Sequence, residues 1–105
     1  MEILVEIRVT ESVDEAPPYK HLMTIERVVS MPELPTRSAW LTFGEEGQQL
    51  TFGPTAWKID WLDTRKCYRV AIDMHFDGRK SEEPLERERL ALLQRSWTVR
   101  RPSIL

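Results

Sequence analysis

Trp57-Lys58-Ile59-Asp60-Trp61-Leu62, then Asp63-Thr64-Arg65-Lys66, then Cys67-Tyr68-Arg69-Val70-Ala71-Ile72-Asp73-Met74-His75-Phe76: residues 57–76 decide the fold. Two runs that alternate apolar and polar residues flank a polar turn, the mark of paired strands with one covered face. Either a two-residue or a four-residue loop gives one register: Trp61 opposite Tyr68, Ile59 opposite Val70, Trp57 opposite Ile72. One face is then large and apolar, so Trp57 and Trp61 are expected in the core. The other pairs Asp60 with Arg69 and Lys58 with Ala71, and continues through Asp73, His75 and Asp77. A slip by one residue would mix the two sets, so the pattern itself pins the pairing.

Upstream, Ala39–Phe43 and Gln48–Phe52 flank Gly44-Glu45-Glu46-Gly47 and predict a second hairpin. Leu41 is expected opposite Leu50 and Ala39 opposite Phe52, with Trp40, Thr42, Gln49 and Thr51 on the other face. Leu-Thr-Phe-Gly occurs at 41–44 and again at 50–53. Two strands of one hairpin using similar residues account for this better than a tandem array, which needs several longer units.

At the N-terminus, Ile3, Val5, Ile7 and Val9 alternate with Glu2, Glu6, Arg8 and Thr10, predicting a strand covered on one side only. A turn-rich stretch, Ser12 to Lys20 with Pro17-Pro18, precedes a run from His21 to Val29 in which Met23, Ile25 and Val29 share a face. Pro32 and Pro35 bound an extended loop. After Asp77-Gly78-Arg79-Lys80, Ser81 reads as the N-cap of a helix over Ser81 to Arg95, with Glu82 and Glu83 suited to its dipole and Pro84 tolerated in its first turn. Leu85, Leu90, Leu92, Leu93 and Trp97 form its apolar stripe, and Glu83 with Arg87 an exposed i,i+4 pair. A last strand is expected from Trp97 to Arg101, before Pro102.

These elements predict a single, mainly β domain over residues 1–105. Its form is a curled antiparallel sheet of six to seven strands, barrel-like or two-layer, with one helix in the C-terminal half. The alternative is an open α+β sheet with the helix on one face. With 41% hydrophobic and 30% charged residues, the 105-residue chain has the composition of a folded protein.

The same counts exclude several chemistries. One cysteine, Cys67, permits no intrachain disulfide, no thiolate zinc site and no Cys-x-x-Cys pair. Without asparagine there is no N-glycosylation acceptor and no Asn-to-adenine contact. Acidic residues interrupt the apolar ones at the N-terminus, so no signal peptide is read there, and no apolar run approaches the ~20 residues that span a bilayer. A cytoplasmic location without membrane association is expected. Phosphate-loop, dinucleotide, zinc-protease, nucleophile-elbow and calcium-loop motifs are lacking, and no cofactor is expected.

Asp73, His75 and Asp77 remain the candidate ligand contacts, because a carboxylate-flanked histidine can bind a metal or act as a base. Successive members lie about 6.6 Å apart along a strand, so one ion does not readily reach all three. Cys67 and His75 are about 26 Å apart on the same strand, too far for a nucleophile pair. Trp40 is the fourth candidate contact, on a face with Thr42, Gln49 and Thr51. Cover by the proline loop or the helix is the expectation for it, since an exposed tryptophan is uncommon on a polar sheet face.

Residues 1–53 hold 9 acidic and 4 basic side chains, net -5, and residues 54–105 hold 8 acidic and 11 basic, net +3. This complementarity reads first as two parts of one sheet balancing each other, and second as a means of self-association. The overall charge of -2 and the separation of the dibasic pairs Arg65-Lys66 and Arg79-Lys80 argue against a nucleic-acid partner. The preferred function is a non-catalytic binding or assembly module acting through protein–protein contacts. A protein partner or a homodimer is expected, with Trp40 and Leu4 as its apolar contacts. The alternative is a small-ligand-binding or catalytic protein with a site near Asp73 and His75 at the mouth of the sheet or barrel.

Overall fold

The computed structural model describes residues 1–12 and 19–102. Seven strands, Glu2–Glu11 (β1), Lys20–Ser30 (β2), Leu41–Phe43 (β3), Leu50–Phe52 (β4), Trp57–Leu62 (β5), Cys67–Phe76 (β6) and Thr98–Arg100 (β7), accompany one helix, Glu83–Leu93 (α1). The mainly β architecture therefore stands as the sequence predicts. Five strands form one sheet in the order β5-β6-β1-β2-β7, and β3 and β4 form a separate two-stranded sheet. The large sheet is open, because β5 and β7 end it and do not pair with each other. Of the expected forms, the closed barrel is not found: the sheet is open, as in the alternative, and the hairpin and the helix pack on it as a second layer.

The sheet is mixed, not wholly antiparallel. β1 pairs antiparallel with β2 but parallel with β6, placing Val5 beside Val70, Ile7 beside Ile72 and Val9 beside Met74. Parallel neighbours need a long crossover, and the chain makes two. Residues 31–56 carry it from β2 to the far side of β1, and residues 77–97 bring it back to β7. The first crossover contains the β3–β4 hairpin and the second contains α1. Leu41, Leu50, Phe52, Leu90, Leu93 and Trp97 from them close over Ile3, Val5, Ile7, Val9, Ile25, Val70 and Ile72 as one core. Ile3, Val5, Ile7, Val9, Ile25 and Val70 are wholly buried, and each contributes about 1.5–3 kcal/mol relative to an exposed side chain.

The β5–β6 hairpin has the predicted register at every position from Trp57↔Ile72 to Leu62↔Cys67. The β3–β4 hairpin differs by two residues: Leu41 pairs with Phe52 and Phe43 with Leu50. Gly44 (φ 112°) and Gly47 (φ 84°) both turn left-handed, which lengthens the loop to residues 44–49. A two-residue shift preserves side-chain parity, so Thr42 and Thr51 still share the outer face, their hydroxyls 3.1 Å apart. The repeated Leu-Thr-Phe-Gly is the two strands of this hairpin. The proline-rich turn expected before β2 falls largely on residues 13–18, outside the described residues.

Two further expectations fail on burial. Leu4, expected to face outward, is 2% exposed, in an outer-face depression that it lines together with Leu62, Arg65 and Arg69. Trp61, expected in the core, is 49% exposed, edge-on to Tyr68 with centroids 5.0 Å apart, whereas Trp57 is buried. Trp57 lies under residue 39, whose carbonyl accepts its indole N–H at 3.1 Å.

The helix is shorter than the stripe suggested, and Ser81 does not cap it. Glu82 occupies the N-cap without a side-chain bond, Leu85 is exposed, and Leu90 and Leu93 are the buried leucines. Glu83 takes over the anchoring. Its carboxylate is 3% exposed and accepts the backbone N–H groups of Gly78 (3.0 Å) and Asp77 (3.3 Å), tying the end of β6 to the first turn of α1. Arg87 completes the joint, donating to Glu83 (3.2 Å) and Glu11 (2.9 Å) with its guanidinium 4.1 Å from the Phe76 ring centre. The pair expected to be exposed is thus buried on its acidic side. Glu83→Ala leaves those donors unpaired and is expected to cost about 1–3 kcal/mol in urea unfolding, whereas Ser81→Ala stays within about 0.5 kcal/mol.

Candidate functional site

On the outer face of the large sheet, charge runs across the strands. Asp60 on β5 accepts a bidentate pair of bonds from Arg69 on β6, Nε to Oδ1 at 2.9 Å. Arg69 also lies 3.6 Å from Glu6 on β1, and Arg100 on β7 lies 3.8 Å from Glu6 and 3.5 Å from Glu26 on β2. Arg65, from the β5–β6 turn, reaches Glu26 at 3.7 Å. Glu6 and Glu26 sit directly opposite each other, a like-charge pair that would destabilise the ladder unless cations flanked it. Arg65, Arg69, Arg100 and Arg87 each join a carboxylate of residues 1–53 to a base of residues 54–105. The uneven charge of the two parts is therefore matched within one chain. The hydrogen bonds from Arg69 hold the Asp60 carboxyl below the ordinary aspartate range, against the opposing effect of burial.

Of the candidate ligand contacts, His75 is the best positioned. Its Nδ1 lies 2.8 Å from the Thr10 hydroxyl and its Nε2 3.0 Å from the Ser12 hydroxyl, while Tyr19 rests against the ring with centroids 4.6 Å apart. Thr10 is the cross-strand neighbour of His75 on β1. Sequence reasoning missed this hydroxyl–imidazole–hydroxyl array because it paired β6 only with β5; the parallel register is the missing signal. Chemically, a serine hydroxyl on a histidine nitrogen is half of a nucleophile–base arrangement. Here a neutral threonine occupies the position where a carboxylate would stabilise an imidazolium, and Ser12 is buried with its N–H bonded to Phe76. Asp73 is exposed beside Arg8, and Asp77 turns to accept the Arg79 N–H at 2.9 Å. The structure does not gather Asp73, His75 and Asp77 at one point. Among the described residues, no three His, Cys, Asp or Glu side chains converge as metal ligands.

Trp40 lies elsewhere, and it is uncovered. It is 70% exposed, more than any other large hydrophobic residue described, where cover by the loop or helix was expected. The indole rests on Gly53: a β-carbon at that position would stand 3.2 Å from two ring carbons, and the ring would have to move off by a few tenths of an ångström to admit it. The loop meant to cover it instead directs its chain to Trp57, which takes the Ala39 carbonyl. A separate open cleft of about 570 Å³ lies between β2, the β3–β4 loop and the end of α1, with Val29, Phe43, Leu93 and Trp97 along it and Arg27 and Arg95 at its rim.

The arrangement defines an open, mixed β-sheet backed by a hairpin and a helix, with His75 held between two hydroxyls and Trp40 presented on the surface. No model of a known protein family, no curated protein and no solved structure matches the chain.

The Asp60–Arg69 bond has a pH signature. A carboxyl whose pKa is lower folded than unfolded adds stability above its unfolded value and loses it as the pH falls through the folded one. NMR titration is expected to place the Asp60 midpoint below the ordinary aspartate range, and Arg69→Gln to move it upward towards that range. An unchanged midpoint in the variant would show that the bond does not form.

Proposed function

We propose that the chain is a non-catalytic binding or assembly module that meets a protein partner through the surface bearing Trp40. The observation that carries this reading is the exposure of that ring, 70%, together with its seat on Gly53. A tryptophan held against backbone loses little further freedom on contact, and tryptophan is the residue type most enriched where truncation weakens protein interfaces. The bonded Thr42 and Thr51 hydroxyls beside it on the hairpin supply a polar rim. The cytoplasmic location expected from the sequence belongs to the same proposal, and the lone cysteine, Cys67, agrees with a reducing compartment.

The rival, a ligand-binding or catalytic centre near Asp73 and His75, has weaker support. Both nitrogens of His75 are engaged by hydroxyls, and neither carboxylate turns to the ring. Affinity capture with the tagged chain and its Trp40→Ala variant tests the reading. A stoichiometric partner should bind at least about thirtyfold more weakly to the variant, with its circular dichroism and unfolding midpoint unchanged. Equal binding by both forms, or a turnover by the purified chain that His75→Ala abolishes, would overturn it.

A further inference from the structure

β5 ends the large sheet, so one side of it has no strand neighbour. Which backbone groups face that side follows from a single bond: the Asp73 N–H donates to the Ala56 carbonyl at 2.8 Å. Hydrogen-bonded and non-hydrogen-bonded pairs alternate along an antiparallel ladder. Lys58, Asp60 and Leu62 therefore spend their N–H and C=O groups on β6, and those of Trp57, Ile59 and Trp61 point to the open side. Trp61, at the end of this edge, is 49% exposed.

The stretch Trp57-Lys58-Ile59-Asp60-Trp61 is complementary to itself when reversed. We propose that a second copy of this chain adds to β5, antiparallel about a two-fold axis through Ile59, joining the two five-stranded sheets into one. Trp57 then lies opposite the partner's Trp61, and Ile59 opposite the partner's Ile59. Lys58 lies opposite the partner's Asp60, and the two-fold axis repeats each unlike pair. The residues whose backbone groups face outward are those that a centre on Ile59 makes hydrogen-bonded pairs. Lys58 and Asp60 fall in the non-hydrogen-bonded pairs, where side chains approach most closely.

Neighbouring registers are worse. Centring the axis on Lys58 or on Asp60 keeps the backbone match but sets like charges against each other. Centring it between residues opposes outward-facing backbone groups to ones already used by β6 and breaks the match of unlike charges. Asp60 remains free to accept a further donor, since a carboxylate has about four acceptor positions and Arg69 occupies two. A lysine in an edge strand ordinarily discourages pairing, but here the mirrored aspartate meets it. The inference deepens the reading of the chain as a contact module and uses none of the Trp40 surface.

Charge reversal tests it by sedimentation at micromolar concentration. The unmodified chain should sediment at twice its 12.4 kDa mass. Lys58→Glu and Asp60→Lys should each weaken self-association about tenfold or more, since each sets like charges across both pairs. An equimolar mixture of the two variants should recover the dimer as a heterodimer, which a merely structural role would not produce. The Lys58 side chain makes no hydrogen bond or ion pair among the described residues, so Lys58→Glu decides the matter alone if Asp60→Lys fails to fold. Trp40→Ala should leave the dimer intact. A 12.4 kDa species from the unmodified chain, a dimer indifferent to Lys58→Glu, failure of two folded variants to recover on mixing, or dissociation by Trp40→Ala would each overturn the inference. Because partner capture reads Trp40 and sedimentation reads β5, failure of either leaves the other standing.

Discussion

The seam between β1 and β6 is the constraint on which the rest of the structure depends. Its residues meet in parallel, Val5 on Val70, Ile7 on Ile72 and Val9 on Met74, at the middle of a five-stranded sheet. Parallel pairing forces the chain to cross the sheet twice, and both crossings lie over the apolar face. The hairpin and the helix are thus the cover that the seam requires. The apolar side chains along it each contribute about 1.5–3 kcal/mol, against about 0–1 kcal/mol for an exposed ion pair, so packing and not charge sets the topology.

Charge organises what packing leaves open. Among the described residues no strand or helix is laid over the outer face of the sheet, yet that face carries Glu6 directly opposite Glu26. Arginines from β6, β7 and the β5–β6 turn offset that repulsion. The strands of the acidic first part, β1 and β2, lie between β6 and β7 of the basic second part, which is the first of the two meanings the sequence allowed. Leu4 is buried on this face, in a depression that it lines together with Arg65, Arg69 and Arg100, whose charged ends reach the carboxylates.

What could be read in advance was local. The β5–β6 register followed from side-chain alternation alone, and the strand at residues 2–11 from its valines and isoleucines. What could not be read was set between distant segments. Alternation is the same for a parallel or an antiparallel neighbour, so the β1–β6 pairing and the Thr10–His75–Ser12 array it creates left no mark on either strand separately. Ser81 had the residue type of a cap, but the buried Glu83 carboxylate answers to Gly78 and to Arg87, contacts that depend on where β6 ends. Trp61 shares its parity with Trp57 and differs in burial, because the covering layer reaches one end of β5 and not the other. Trp40 was recognised as out of place on a polar face; only the fold decides that nothing closes over it.

The functional reading depends on the same seam, since it makes β5 an edge and leaves the β3–β4 hairpin to present Trp40 on the covering layer. Cross-strand nuclear Overhauser effects between β1 and β6 test the account most directly. The parallel register predicts contacts that advance together along both strands, Val5 with Val70, Ile7 with Ile72 and Val9 with Met74. A series running the opposite way, Ile3 with Met74 and Val9 with Tyr68, would contradict the topology and everything placed on it.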